Sequence, residues 1–178
     1  MNYTRMEEQL ILHEGIKLKP YYCTAGKLTW GVGYNIDDRG LGPLCKALGR
    51  TVTLAELNAG LLTRDDALTV LRADIKYFET RVRKRFPEYA RLDEVRQRVV
   101  IDLAFNLGAR LIGFKKAIAK LKLAITGPPA EASRWFAETA LELVMSMWFT
   151  QVGDGPGGRY DRAERLCDMM RTGKDWTK

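Results

Sequence analysis

Glu14 is the first residue placed where it could do chemistry. It closes an apolar-periodic stretch, is followed at once by Gly15, and precedes a segment whose period changes to two. From Leu18 to Tyr34, the residues Leu28, Trp30, Val32 and Tyr34 alternate with Thr29, Gly31 and Gly33. One strand face is therefore large and apolar, and the other carries little beyond the Thr29 hydroxyl. A carboxyl at such a helix end can point into a groove. Cleaving a glycosidic bond takes one acid to protonate the leaving oxygen and usually a second group to manage water on the other side. Position alone favours an ordinary surface glutamate. The two glycines fit close approach of a ligand, or a bulge or crowded packing.

Cys23 stands between these residues, just ahead of the turn Thr24-Ala25-Gly26 that makes the segment a hairpin. A thiol with an ordinary pKa of about 8.5 is mostly neutral at pH 7 and acts as base or nucleophile only where its surroundings favour the anion. Lys19 and Lys27 are near in sequence. The other cysteines, Cys45 and Cys167, read as reduced, half-buried residues. Three widely spaced cysteines make neither a disulfide framework nor a Cys-x-x-Cys site, and with His13 the only histidine no metal or cofactor is expected.

The elements that must hold these residues follow from the pattern. Thr4 with Glu7, Thr53 with Glu56 and Thr63 with Asp66 have capping-box spacing. The first opens a short helix ending at Glu14-Gly15. The third opens a long helix, with Ala67, Val70, Leu71, Ile75 and Phe78 on one stripe, running to about Arg81. Residues 37–43 read as a loop. Asp93 to Leu107 is apolar on more than one face, as a central buried helix would be, with Gly108 as its C-cap. Further helices are expected at about 114–125, 130–140, 141–151 and 159–171, separated by Gly127-Pro128-Pro129 and the glycine run Gly153–Gly158.

Composition bounds the rest. The chain has 178 residues, 46% hydrophobic, with 29 Lys+Arg and 22 Asp+Glu for a net charge of +7. That excludes a disordered tail and needs no disulfide staples. The longest weakly charged stretch, Leu143 to Val152, is half of what spans a bilayer, and Arg5, Glu7 and Glu8 are incompatible with a secretory leader. All the excess positive charge lies after residue 80, which suits a polyanionic partner. No nucleic-acid motif accompanies the cluster Arg81, Arg83, Lys84 and Arg85, so a wall or surface polymer is the expected anion rather than nucleic acid. Phe114, Ala117, Ile118, Leu121 and Ile125, interleaved with lysines, read as a core-packed helix with a solvated face, and allow a weak contact with anionic membrane through 114–125.

The run His13-Glu14-Gly15-Ile16-Lys17-Leu18-Lys19-Pro20-Tyr21-Tyr22-Cys23-Thr24-Ala25-Gly26-Lys27-Leu28-Thr29-Trp30-Gly31-Val32-Gly33-Tyr34 resembles the bacteriophage lysozymes, or endolysins, of the T-even type and their lambdoid relatives, glycoside hydrolase family 24. Their pattern is Glu-Gly, a short strand, Tyr, a turn with Gly, then Thr-x-Gly-x-Gly. The resemblance continues through Thr63 to Ile75, through Ala104-Phe105-Asn106-Leu107-Gly108, and through Gly113-Phe114, Trp148, Arg162-Ala163, Arg171-Thr172-Gly173 and Trp176. It implies that Glu14 and Thr29 are catalytic and that the family's usual Asp falls on Cys23, as in the Glu-Cys-Thr version known among endolysins. It places Arg162 near Glu14 as the carboxylate-pairing arginine and sets Phe105 and Asn106 in the sugar cleft. Tyr34 takes the place of a histidine on the sheet, with Asp74 as its acidic partner. A Tyr34–Asp74 hydrogen bond could replace that ion pair.

The expected fold is therefore α+β, mainly α and lysozyme-like. A single catalytic domain would comprise a small lobe at 1–62 with a short antiparallel sheet, an interlobe helix at 63–81 and a helical lobe at 82–178, with the site in the cleft between lobes. The resemblance implies hydrolysis of the β-1,4 bond between N-acetylmuramic acid and N-acetylglucosamine in peptidoglycan. The enzyme would be a monomer held in the host cytoplasm until a separate membrane-disrupting protein releases it. Two alternatives stand beside this: a lytic transglycosylase that closes a 1,6-anhydro ring, and a non-enzymatic basic wall- or membrane-binding module.

Overall fold

In a computed structural model of the chain, which describes residues 1–152 and 162–176, the N-terminal periodicity becomes helix α1, Tyr3–Glu14. Met6 and Leu10 are its buried stripe. Gly15 ends it at φ 69, its N–H donating to the Ile11 carbonyl at 2.9 Å, a left-handed stop that a side chain would strain. The expected Thr4–Glu7 capping box does not form. Thr4 lies inside the helix, and both Glu7 carboxylate oxygens accept from Arg72, at 2.7 and 3.0 Å. A bidentate guanidinium is the stronger partner for the same carboxylate.

The sheet has three antiparallel strands in the order β1 (Lys17–Tyr22), β2 (Leu28–Gly31) and β3 (Tyr34–Asn35). Cys23 to Lys27 is a tight reversal: Gly26 N–H donates to Cys23 O at 2.8 Å and Cys23 N–H to Lys27 O at 3.0 Å. Gly26 sits at φ 70, as this three-residue loop requires. The expected single strand to Tyr34 breaks after Gly31. Gly31 and Gly33 have φ 63 and 68 and build the β2–β3 turn, and a side chain on Gly31 would meet Ala67 at 3.5 Å. The glycines thus serve turning and packing and do not bare a strand face. Pro20, which has no N–H to donate, lies in the irregular stretch of edge strand β1 between Lys17 and Tyr21.

Residues 37–43, expected to be a loop, are largely helical: α2 (Ile36–Arg39), started by the Asn35 side chain accepting from Asp38 N–H, and α3 (Gly42–Leu48), with Pro43 in its first turn. Helix α4 (Leu54–Ala59) and the long α5 (Arg64–Arg85) both begin at the capping boxes read from the sequence. α5 runs four residues beyond the expected end. Arg83, Lys84 and Arg85 complement its C-terminal dipole, and Pro87 stops it.

The chain divides after Tyr77, within α5, into a unit of residues 3–77 and a unit of residues 78–178 with Met1 and Asn2. The first has its own core around Trp30, Tyr34, Leu44, Leu57 and Val70. Its Trp30 Nε1–H donates to the Leu18 carbonyl at 2.9 Å, joining β2 to β1. Cys45 is half-buried and structural, accepting the Val52 N–H at 3.1 Å.

The second unit is helical. α6 (Glu94–Leu107) is the central helix expected, capped by Asp93 and ended by Gly108 at φ 56. α7 (Lys115–Thr126) follows, then α8 (Ala132–Val144), α9 (Met147–Gln151) and α10 (Arg162–Thr172). The expected break at 140 is missing, because Ala140 and Leu143 continue the buried stripe of α8. Gly153–Gly158 and the expected helix start at 159 lie outside the described residues. α7 buries Ala117, Leu121 and Ala124, and its Lys120 bridges Glu138 and Glu142 of α8, each at 2.8 Å. No helix of the described residues is long and apolar enough to cross a membrane.

Two charged ties hold α10. Arg96 donates to the Met170 carbonyl at 2.8 Å and the Arg171 carbonyl at 3.2 Å, satisfying acceptors that the last turn leaves open. Arg162 donates through Nε to Asp102 of α6 at 2.7 Å, with Asp102 fully buried. Removing one partner of a buried pair strands the other charge. Arg162→Ala is expected to lower unfolding stability by about 3–5 kcal/mol in urea titration, whereas Asp102→Leu with Arg162→Leu recovers most of it. A single substitution without loss would refute this tie.

Candidate active site

Glu14 ends α1 and is half-buried, with Gly15 turning the chain straight into β1. The register of β1 on β2 sets what lies beyond it. Tyr21 pairs directly with Thr29, and Tyr22 with Leu28, so the Tyr21 and Thr29 side chains share a face. Cys23 follows at the first position of the turn, half-buried.

Partial burial pushes the Cys23 thiol up, but hydrogen bonds to its anion outweigh that. The backbone N–H groups of Lys27 and Ala25 and the Thr29 hydroxyl stabilise the thiolate and bring the thiol below its ordinary value. The Thr29 hydroxyl also donates to the Lys27 carbonyl at 2.9 Å. One proton serves one acceptor at a time, so ionisation of Cys23 turns it toward the sulfur. Lys27 is within electrostatic reach of the sulfur, but the hydrogen bonds are the main cause. Lys27 pairs with Asp38 at 3.0 Å, and the Lys19 side chain lies against Gly60. Thr29 itself is only 4% exposed.

Tyr21 was not singled out from sequence, though its strand position opposite Thr29 was the available signal. Burial raises its phenol above the ordinary value, and the negative charges of Glu14 and Cys23 raise it further. The phenol is thus within electrostatic reach of both groups, which brings Glu14, Cys23 and Thr29 into one neighbourhood of the first unit. Lys17 places its ammonium 4.0 Å from the centre of the Tyr21 ring.

Tyr34 is buried in the core, 2% exposed, and donates its hydroxyl to the Gly40 carbonyl at 2.8 Å. The expected Tyr34–Asp74 hydrogen bond is absent. Asp74 pairs with Arg39 at 2.6 Å, and the Arg39 guanidinium lies between the rings of Tyr34 and Tyr77, at 4.7 and 4.6 Å. Arg39 was not anticipated, because no local spacing links it to Asp74. Burial, partly offset by Arg39, holds the Asp74 carboxyl above its usual value.

On the second unit, Phe105 and Asn106 are half-buried near the end of α6. Phe105 packs against Phe78 with ring centres 5.2 Å apart. The Asn106 side-chain oxygen accepts the Trp148 indole N–H at 3.0 Å, and Trp148 meets Phe114 edge-on. These contacts fix the Asn106 amide, leaving its NH2 end as donor. Arg162 is held by Asp102 as described. Among the described residues, no group of three His, Cys, Asp or Glu side chains is gathered as a metal would require.

The family model described as phage lysozyme matches residues 12–142. The chain belongs to the phage lysozyme family. The matched span contains Glu14, Cys23, Thr29, Tyr34, Phe105 and Asn106, and stops short of Arg162. No curated protein matches the chain. Membership makes the chain a lysozyme-type glycosidase with bacterial peptidoglycan as its substrate, and the α+β arrangement of a small antiparallel sheet among helices is lysozyme-like.

The sulfur environment gives a direct test. Alkylation of Cys23, followed residue by residue by mass spectrometry, is expected to rise with pH at a midpoint below that of an ordinary thiol. Thr29→Val removes one donor to the thiolate and should move the midpoint up. An unshifted wild-type midpoint would refute the hydrogen-bonded thiolate.

Proposed function

We propose that the chain is an endolysin of the T-even type, in its Glu-Cys-Thr version, that hydrolyses the β-1,4 bond between N-acetylmuramic acid and N-acetylglucosamine. The observation that carries this reading is the cluster on the first unit. Tyr21 feels both Glu14 and Cys23, and Cys23 takes its hydrogen bonds from Thr29 and the turn. Glu14 acts as general acid, giving its proton to the glycosidic oxygen as the bond to the anomeric carbon breaks. A water adds its oxygen to that carbon, and its proton passes to the Cys23 thiolate. The Thr29 hydroxyl donates to the sulfur while its lone pairs accept from the water. Phe105, Asn106 and Arg162 are proposed substrate contacts of the second unit, and Tyr34 supports the sheet from beneath. The proposal includes the route: a monomer that reaches the wall once a separate membrane-disrupting protein releases it.

A second reading has one observation in its favour, the sulfur where the family pattern has a carboxylate. Without an effective base for water, the sugar's own 6-hydroxyl could close a 1,6-anhydro ring, as in a lytic transglycosylase. A membrane-binding module draws less support, since the apolar stripe of α7 is buried and Lys120 is engaged by α8.

Glu14→Gln is expected to fold normally and to lose at least ~100-fold in lysis of purified peptidoglycan, the scale of a lost general acid. Near-normal lysis would remove the glycosidase reading. Cys23 is tested by a pair. Cys23→Ser should lose most activity, because a hydroxyl has no accessible anion near neutral pH. Cys23→Asp should keep much of it and shift the rising limb of the pH profile to lower pH, since a carboxyl loses its proton well below a thiol. Full activity of Cys23→Ser with an unchanged profile would make the sulfur a bystander.

A further inference from the structure

Among the described residues, no carboxylate meets Lys17. Lys27 is paired with Asp38, Lys120 with Glu138 and Glu142, and Lys122 with Glu88. Lys17 is exposed and, among the described residues, meets no acidic side chain. Its ammonium lies instead over the Tyr21 ring, 4.0 Å from the centroid. A cation over an aromatic face keeps its hydration on the outer side and remains available to an anion. The ring that holds it is the one paired with Thr29 and within reach of Glu14 and Cys23. The ammonium is therefore pinned beside the proposed reaction centre, where the other nearby cation, Lys27, is already paired with Asp38.

We infer that Lys17, seated on Tyr21, is a specificity determinant that pairs with a carboxylate carried by the glycan next to the scissile bond. This rests on the glycosidase reading above. The reaction itself consumes no such carboxylate, so Lys17 acts on binding and not on the chemical step. It distinguishes an acidic wall glycan from a neutral N-acetylhexosamine polymer of the same backbone. Two sources supply the group: the lactyl ether of the muramoyl sugar once its peptide is gone, and the acidic residues of the peptide itself. Both present a carboxylate to a partly hydrated ammonium, a contact that salt screens.

The test compares Lys17→Gln and Lys17→Arg with wild type on three polymers: peptidoglycan with its peptides, the glycan stripped of peptides and bearing free lactyl carboxylates, and that stripped glycan with its carboxylates amidated. Lys17→Gln is expected to lose about threefold to fivefold in kcat/KM on a charged polymer, the scale of a solvent-exposed ion pair, through KM and with kcat unchanged. It should lose nothing on the amidated polymer, and Lys17→Arg should retain the wild-type preference. Loss on the stripped glycan assigns the lactyl carboxylate; loss on the intact polymer alone assigns the peptide. Equal loss on charged and amidated polymers, or no loss on either charged one, overturns the inference. If wild type cleaves none of the three, the glycosidase reading fails and takes this inference with it.

Discussion

Pairing Tyr21 with Thr29 across β1 and β2 decides which side chains of the small unit share a face, and a slip of one residue would send each to the other side. With the register as it is, Trp30 faces the core and donates to the Leu18 carbonyl, while Thr29 and Tyr21 meet on the opposite face. The reversal from Cys23 to Lys27 then places two backbone N–H groups and the Thr29 hydroxyl around one sulfur. Gly26 at φ 70 makes that reversal possible without strain. The chemistry proposed for Cys23 depends on this hairpin before it depends on any neighbouring charge.

The same unit meets a second demand, a buried carboxylate in α5. Asp74 is almost fully buried, and an unpaired charge there would be costly. Arg39 answers it from the end of α2, its guanidinium near the rings of Tyr34 and Tyr77. The Tyr34 hydroxyl meanwhile donates to the Gly40 carbonyl. Tyr34 thus ties β3 to the end of α2 from within the core.

Legibility in the sequence followed the range of the interaction. Local signals were readable: the capping boxes at Thr53 and Thr63, the Gly15 stop, the apolar α6 with its Gly108 end, and the turn at Thr24-Ala25-Gly26 all form as read. Signals with a competitor elsewhere in the chain misled. Glu7 has capping-box spacing, but Arg72 lies 65 residues away and takes both its oxygens. Gly31 and Gly33 fit an alternating strand, yet their positive φ values show a turn, a backbone conformation that a side chain would strain. The short helices in 36–48 were hidden because Asn, Asp, Gly and Pro mark loops and helix starts alike. At the proposed site, Glu14, Cys23 and Thr29 stood out through the family resemblance, since position alone favoured an ordinary surface glutamate. Tyr21 and Lys17 did not, because the Tyr21–Thr29 pair and the Lys17–Tyr21 contact exist only once the strands pair.

Glu14 and the Cys23–Thr29 pair are proposed to direct water onto the anomeric carbon. Digestion of purified peptidoglycan in water enriched in oxygen-18, with the released fragments weighed by mass spectrometry, tests it most directly. Each new muramoyl reducing end is expected to carry one oxygen-18 atom from solvent. Fragments that lack the label and weigh one water less, as 1,6-anhydro sugars do, would contradict it.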